Sequence, residues 1–179
     1  MTCIVGVQTP TGVVIGGDSG GLSGYVLMHR ADPKVFINGD YLIGFTSSFR
    51  MGQLLRFADL PKVLDRTGED LDRFMTTEFV DAVRKVLKDG GFAKKESEQE
   101  AGGVFLIGVS GRLFRLESDY QIGWTTDGYD ACGSGQEVAF GVLHATRRLN
   151  PARRVRRALE AAEHHNAGVH APFTILEAK

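Results

Sequence analysis

The sequence predicts an α+β fold in which two antiparallel β-sheets pack face to face between two pairs of helices, a four-layer αββα sandwich. Strand-like and helix-like segments alternate in blocks, and short turns join the strands within a block. Strands joined by such turns pair antiparallel, whereas a parallel βαβ fold needs single strands that alternate with single helices. The 179-residue chain, 42% hydrophobic, is long enough to bury such a core as one domain over residues 1–179.

The first 46 residues predict four strands in two hairpins. Runs rich in β-branched and aromatic residues cover 3–8, 13–18, 34–37 and 41–46. A Thr-Pro-Thr-Gly turn separates the first two strands, and Asn38-Gly39, a strong hairpin signal, separates the last two. The glycines that end the second strand predict close approach of another element. The glycine-rich stretch 19–24 predicts a loop.

The rest of the chain predicts helices, more strands, two further helices and a closing strand. Helical periodicity or capping predicts helices over 47–64, 70–88, 133–149 and 152–165. Strand patterns cover 104–109, 113–117, 121–124, 129–132 and 173–177. The charged stretch 94–100 predicts an exposed loop.

Composition excludes several classes of function. The formal net charge of −1 provides no field that would recruit nucleic acid or an acidic membrane, and no apolar run is long enough for a transmembrane helix. Cys3 and Cys132 are isolated, which favours reduced core residues in a cytoplasmic protein. The first residues do not have the pattern of a signal peptide.

Thr2 is a candidate nucleophile. If Met1 is removed, a free amine and a hydroxyl lie on one residue, so nucleophile and base are adjacent. The pKa of an α-amine, about 8, is close enough to neutrality for the amine to accept the hydroxyl proton. Taken alone, a small residue at position 2 is common and indicates little.

Asp18 and Lys34 are candidates for the surroundings of Thr2. The first hairpin returns Asp18, at the end of its strand, to the start of the chain, where it could anchor a lysine or simply cap a turn. Lys34 begins an apolar strand, where a lysine is either paired or extends its ammonium group to solvent. A paired cation there would lower the pKa of a neighbouring amine and hydroxyl.

Ser134 lies between two glycines before a predicted helix. It is either the N-cap of that helix or a hydroxyl in a network around the terminal amine.

The ordered set of these motifs resembles the proteasome β-subunit and HslV-type peptidase family of N-terminal-nucleophile hydrolases. The resemblance covers nearly the whole chain and is strongest in residues 2–48 and 131–149. The matching motifs are Thr2–Val7, Gly16-Gly17-Asp18, Lys34-Val35-Phe36, Leu42–Ser48, Gly133-Ser134-Gly135 and Phe173-Thr174-Ile175.

The resemblance implies an endopeptidase that acts by acyl transfer to the Thr2 hydroxyl, followed by hydrolysis. Lys34 would tune the hydroxyl, Asp18 would hold Lys34, and Ser134 with His164 would orient the amine. Backbone N–H groups at Ser47 and Ser48 would stabilise the oxyanion, and Gly21 and Leu22 would contribute to substrate binding. No metal or organic cofactor is implied.

Three positions depart from the family pattern. Ser47 or Ser48 stands where glycine is usual, and Ala167 stands where serine or threonine often precedes a late glycine. Counting back from Phe173 and from Gly168 puts His164 where the family has aspartate, and a shift of one or two residues would bring in His165 or Asn166. If His164 belongs to the network, activity falls as this histidine is protonated.

These departures keep a second reading open, a catalytically degenerate structural or interaction subunit of the same fold. A third is an amidase with a terminal cysteine, which requires the chain to begin at Cys3. The resemblance implies a polypeptide substrate, further copies in a ring and an ATP-dependent unfoldase as partners. A basic cluster could contact acidic partners or remain a solvated helix face: Arg147, Arg148, Arg153, Arg154, Arg156 and Arg157.

Overall fold

A computed structural model describes residues 1–92, 94–96 and 99–179. The strands are β1 Ile4–Thr9, β2 Gly12–Gly17, β3 Gly20–Ser23, β4 Val26–His29, β5 Val35–Asn38, β6 Tyr41–Phe45, β7 Lys94–Glu96, β8 Gln99–Ala101, β9 Phe105–Val109, β10 Arg112–Leu116, β11 Ile122–Gly123, β12 Tyr129–Cys132 and β13 Thr174–Ala178. The helices are α1 Phe49–Arg56, α2 Gly68–Phe74, α3 Val80–Asp89, α4 Gln136–Ala145 and α5 Pro151–His165, with a π-helical turn, Met75–Phe79, between α2 and α3.

Two antiparallel sheets form the centre of the molecule. The first has the order β12-β1-β2-β13, and the second β11-β10-β9-β6-β5. In the first sheet, Ile4 of β1 lies opposite Cys132 on one side and opposite Gly17 on the other. This register puts the ends of β2 and β12 beside the residue that precedes β1.

Helices cover the outer face of each sheet, so the four-layer αββα prediction is confirmed. Helices α4 and α5 pack on the first sheet, and α1 with the α2–α3 helix packs on the second. Burial of apolar surface between the sheets stabilises the sandwich. The side chains buried there are Ile4, Val13, Ile15, Val35, Leu42, Leu106, Leu113 and Cys132.

The predicted close approach at the end of β2 is also confirmed. A methyl group on Gly17 would lie 2.7 Å from Ile4 and 2.9 Å from Val35, so any larger residue there would push the sheets apart. Gly16 faces the other way, against Val155 and Leu159 of α5. These glycines bring the strand end that precedes Asp18 close to both neighbouring layers.

The helix ends have identifiable caps. Ser48 caps α1 by accepting the Arg50 N–H at 3.2 Å. Asn150 caps α5, with Pro151 in the first turn, where its missing N–H costs nothing. Apolar residues at helical spacing bury one face of α2–α3.

Several predicted boundaries were wrong. The glycine-rich stretch 19–24 is not a loop but contains β3, which pairs with β4 in a separate two-stranded hairpin. The first helix ends at Arg56 rather than at 64. The predicted loop 94–100 contains paired strands β7 and β8, while positions 93, 97 and 98 lie outside the described residues. In the described part of the chain, no helix has the length and apolarity to cross a membrane.

Candidate active site

Thr2 lies immediately before β1 and is 5% exposed. Its carbonyl accepts hydrogen bonds from Gly135 N–H at 3.2 Å and from the Ser134 hydroxyl at 3.3 Å. Its N–H donates to Ser134 Oγ at 3.1 Å. The backbone of Thr2 is therefore fixed by the turn that leads into α4.

Asp18 and Lys34 meet beside the Thr2 side chain. Lys34 Nζ donates to both Asp18 carboxylate oxygens at 2.9 Å and also to Thr2 Oγ1. Three backbone N–H groups donate to the same carboxylate, from Cys3 at 3.0 Å, Gly20 at 3.0 Å and His170 at 3.3 Å. The carboxylate is thus anchored on all sides and directs the ammonium group at the Thr2 hydroxyl.

Burial sets the electrostatics of this cluster. The Lys34 side chain is 2% exposed, and desolvation lowers the pKa of the Lys34 ammonium group, an effect that Asp18 opposes. Burial also raises the pKa of the adjacent Cys3 thiol to about 12, with a further contribution from Asp18. Cys3 is therefore a neutral thiol, and the ammonium–carboxylate pair supplies the local charge.

Ser134 and Asn166 meet on the nitrogen side of Thr2. Ser134 does not cap α4: its N-cap residue is Gly135, which makes no side-chain capping bond, and the Ser134 hydroxyl lies between Thr2 and Asn166. Asn166 Oδ1, at 3.2 Å, is an alternative acceptor to the Thr2 carbonyl for the single proton of the Ser134 hydroxyl, and Asn166 Nδ2 donates to the Ser134 carbonyl at 2.7 Å. Counting along the sequence had assigned His164 to this position, and Asn166 was included only as the result of a two-residue shift.

His164 is not part of this network. It lies exposed in the last turn of α5, where its ring contacts that of His165 with centroids 4.7 Å apart. Both histidines are still helical, whereas Asn166 follows the helix and turns back toward Ser134. The prediction missed by two residues because helix ends cannot be located that closely from sequence. An asparagine directly after a helix, a common C-terminal residue, was the available signal.

The turn after β6 carries the candidate oxyanion donors. Ser47 has φ +71°, a left-handed conformation that favours glycine, which fits its position in the motif. Its Oγ accepts the Val104 N–H at 3.4 Å. Among the described residues, the Ser47 N–H has no hydrogen-bond partner, whereas the Ser48 N–H donates to the Thr46 carbonyl at 2.9 Å. Ser47, rather than Ser48, therefore has the free donor.

A pocket of about 120 Å³ opens beside Thr2. Gly20 and Leu22 line it, but Gly21 does not, because successive residues of β3 face opposite sides and Gly21 lies against Arg30. Of the two residues predicted to bind substrate, Leu22 therefore lies at the pocket and Gly21 faces away from it, and the substrate-binding role of Leu22 stays a prediction. The lining residues are Met1, Thr2, Gly20, Leu22, Lys34, Phe45, Thr46, Ser47, Ser48 and Phe49.

Met1 covers Gly168. A side chain at position 168 would overlap the Cβ of Met1, so only glycine leaves room for the residue that precedes Thr2. The Gly168 N–H donates to Asn166 Oδ1 at 2.9 Å. The position before Thr2 thus contacts the same loop that holds Asn166.

One member of the basic cluster is part of the core, and two others are paired with carboxylates. Arg154 is buried and donates to the Leu143 carbonyl at 2.8 Å, so it belongs to the α4–α5 packing. Arg147 pairs with Asp127, and Arg157 with Glu160. Across the described ranges, no group of three or more His, Cys, Asp and Glu side chains is arranged to hold a metal ion.

Solved structures share this architecture over nearly the whole chain. BPH from Thiobacillus denitrificans, a bacterial proteasome-like protein, superposes with a TM-score of 0.81 and 17% identity, covering 99% of this chain and 98% of BPH. The protein has the proteasome-type N-terminal-nucleophile hydrolase fold. The family resemblance predicted from the sequence is thus confirmed at the level of the fold.

Two further neighbours agree. Eukaryotic HslV from Trypanosoma brucei matches with a TM-score of 0.68 and 17% identity over 98% of both chains. The Anbu subunit of a helical assembly from Pseudomonas aeruginosa matches with a TM-score of 0.68 and 16% identity over 99% of this chain and 81% of Anbu. No family model and no curated protein sequence matches the chain.

Proposed function

We propose that the protein is a threonine-type endopeptidase subunit that uses Thr2 once the residue before it is removed. One observation carries the proposal. The Thr2 hydroxyl contacts a buried ammonium group that is held by Asp18, at the wall of a pocket. A cation in that position favours the alkoxide form of the hydroxyl and so activates the nucleophile.

The first step forms an ester. The Thr2 hydroxyl attacks a peptide carbonyl while its proton passes to the α-amine of the same residue, directly or through water. The oxyanion is stabilised by the Ser47 N–H. Collapse of the tetrahedral intermediate breaks the C–N bond, and the ammonium group of Thr2 returns the proton to the leaving amine.

The second step hydrolyses the ester between Thr2 and the acyl part of the substrate. A water molecule attacks the ester and gives its proton to the Thr2 amine. Collapse of the second tetrahedral intermediate breaks the ester C–O bond, and the Thr2 ammonium group returns the proton to Thr2 Oγ1, so that the acid product leaves and the Thr2 hydroxyl is restored. Each charge that develops faces a group already in place, Lys34 for the nucleophile and the Ser47 N–H for the oxyanion, so little reorganisation is required.

Covalent trapping tests the proposal. BPH has been solved in complex with epoxomicin, and peptide epoxyketones react with both the hydroxyl and the amine of a terminal threonine. We expect protein that begins at Thr2 to gain the mass of one epoxomicin molecule and to hydrolyse fluorogenic peptides. The measurement is intact mass spectrometry combined with a hydrolysis assay.

Thr2→Ala is the decisive variant, and it should lose both the adduct and hydrolysis. Thr11→Ala is the matched control, since it removes an exposed hydroxyl in the β1–β2 turn. Hydrolysis that survives Thr2→Ala would contradict the proposal. Protein with a free Thr2 that neither reacts nor hydrolyses any peptide in a broad panel would contradict it as well.

A silent structural subunit is the second candidate, and Ser47 is the observation that favours it. A side chain at φ +71° beside the candidate oxyanion donor narrows the pocket where glycine would leave it open. If Ser47 is what silences the site, Ser47→Gly alone should create epoxomicin reactivity that the unmodified protein lacks. Absence of reactivity in both forms would leave the fold with an assembly role.

We further propose that the chain assembles with copies of itself, in a ring that encloses the site and accepts substrate from an ATP-dependent unfoldase. The β3–β4 hairpin supports assembly because its tip is apolar and exposed: Tyr25 is fully exposed, Val26 61% and Met28 47%. Sedimentation should give a closed oligomer that Tyr25→Ser with Met28→Ser weakens. A monomer at micromolar concentration would contradict the ring.

A further inference from the structure

Asn166 is fixed more firmly than a surface residue at the end of a helix needs to be. Its Oδ1 accepts the Gly168 N–H at 2.9 Å, and its Nδ2 donates to the Ser134 carbonyl at 2.7 Å. Its own N–H donates to Ala162, and its carbonyl accepts the Val169 N–H at 3.1 Å. These bonds determine which end of the amide is oxygen, because only oxygen can accept from Gly168.

The two acceptors around the Ser134 hydroxyl determine its role. Its single proton has Asn166 Oδ1 at 3.2 Å and the Thr2 carbonyl at 3.3 Å as acceptors, and with either one a lone pair of Ser134 Oγ is left for the Thr2 N–H, 3.1 Å away. A free amine held by one N–H in this way keeps its own lone pair available for a proton. The relay Asn166–Ser134–Thr2 therefore orients the base of the proposed reaction.

The charges around this nitrogen are few. Lys34 contacts the Thr2 hydroxyl, and Asp18 is saturated by Lys34 and by the N–H groups of Cys3, Gly20 and His170. The Cys3 thiol is neutral because burial raises its pKa to about 12.

The groups on α5 and on the loop after it face elsewhere. Glu163 accepts the Ala171 N–H at 2.7 Å, and the His170 ring is hydrogen-bonded to the Ala167 carbonyl at 2.9 Å. His164 and His165 are exposed. Among these groups, the ones that contact the nitrogen side are the neutral Ser134 and, through it, the neutral Asn166.

We propose that Asn166 is a positioning residue that orients the Thr2 amine through Ser134 without adding negative charge, so that no carboxylate at this position holds the amine in its ammonium form. The inference rests on the proposed function. A carboxylate in the same place would stabilise the ammonium form of Thr2 and switch the base off at higher pH. The neutral amide orients the amine without stabilising its ammonium form. The nearby Lys34 cation also disfavours the ammonium form, because like charges repel.

The test compares pH profiles of kcat/KM for a fluorogenic peptide, using protein whose fusion partner is cleaved off to leave Thr2 first. We expect Asn166→Asp to move the acid limb to higher pH by about one unit, or about tenfold lower activity on that limb. Asn166→Ala should leave the limb in place and lower the plateau about tenfold, because the orientation is lost and no charge is added.

His165→Asp is the matched control. It adds a carboxylate to the exposed end of the same helix, where solvent screens it, and should change neither limb nor plateau. Coincident acid limbs for the unmodified protein and Asn166→Asp would overturn the charge argument. An unchanged plateau in Asn166→Ala would overturn the positioning argument.

A direct titration of the Thr2 amine tests the inference even if a variant fails to fold or the enzyme shows no activity. In protein labelled with ¹⁵N-threonine, the amine of Thr2 should titrate at or below the value of about 8 of a model α-amine. A midpoint above 8 would overturn the inference even if hydrolysis is never detected. Loss of hydrolysis with a low midpoint would instead contradict the proposed function alone.

Discussion

The two sides of Thr2 differ in how the fold holds them. On the hydroxyl side, a buried ion pair lies against the oxygen, and both charged side chains are at most 2% exposed. On the nitrogen side, the partners are a serine hydroxyl and an asparagine amide, with intermediate or greater exposure. One residue thus sits between a charged, dry environment and a neutral, partly solvated one.

The difference matches what each side has to do in the proposed reaction. The hydroxyl must lose its proton, and a desolvated cation favours that loss far more than it would in water. The amine must gain a proton and give it back, so a strong charge on that side would trap it in one state. Charge is therefore useful on one side of Thr2, and hydrogen-bond geometry on the other.

Breaking the charged side should have the largest effect. Lys34→Met leaves the Asp18 carboxylate buried without its cation, so we expect a loss of about 3–5 kcal/mol of unfolding free energy and no detectable hydrolysis. Asp18→Asn combined with Lys34→Met removes both charges and should recover much of the stability without any activity. Urea unfolding and the peptide assay measure the two quantities. Equal destabilisation of the single and double variants would show that the pair is not a unit.

The neutral thiol beside the ion pair gives a smaller, pH-dependent effect. The pKa of Cys3 is raised to about 12 in the folded chain, so the folded state keeps its proton where the unfolded state loses it. Stability contributed by this thiol is complete below the unfolded pKa of about 8.5 and falls as pH rises toward 12. Between pH 8 and pH 10, Cys3→Ala should therefore lose about 1–2 kcal/mol less stability than the unmodified chain.

Urea unfolding at the two pH values measures this difference. Burial, which is the same in both proteins, is the largest cause of the pKa shifts of Lys34 and Cys132, so the difference between the two stability curves reports chiefly on Cys3. Parallel stability curves for the two proteins would contradict the burial argument for Cys3.

An effect of similar size, independent of pH, concerns the oxyanion turn. Ser47→Val puts a branched side chain at φ +71° and should cost about 1–2 kcal/mol, whereas Ser47→Gly should be within about 1 kcal/mol of the unmodified chain. Ser47→Ala separates the hydroxyl from the backbone strain. If the valine variant is as stable as the glycine variant, the left-handed conformation of this turn is not maintained in solution.

Much of the fold could be predicted because turns and strand ends carry local signals. Asn38-Gly39 located a hairpin, and the strand 129–132 was predicted with its observed bounds. The β3–β4 hairpin was not predicted, because the glycines that indicate a loop are also compatible with a closely paired hairpin. The first helix was predicted too long because Pro61 was the nearest stop signal in the sequence, and the helix ends five residues before it, at Arg56.

Four predicted site residues lie together in the structure: Thr2, Asp18, Lys34 and Ser134. Each is next to the end of a strand, and the pairing register of the strands places these ends side by side. Their catalytic roles stay predictions. Asn166 was harder, because its position depends on where α5 ends, and a two-residue error at a helix end turns a side chain from the site into solvent.

Gly168 leaves room for the residue before Thr2, and a single added methyl group would take that room away. The residue before Thr2 occupies the space where a side chain at position 168 would lie, so Gly168→Ala should clash with the uncleaved chain and be tolerated by the cleaved one. The same substitution would then shift the balance of free energies toward the form that begins at Thr2. The missing side chain at position 168 is therefore what allows this loop to accept the residue before Thr2, and one added methyl group would make the loop selective for a chain that begins at Thr2.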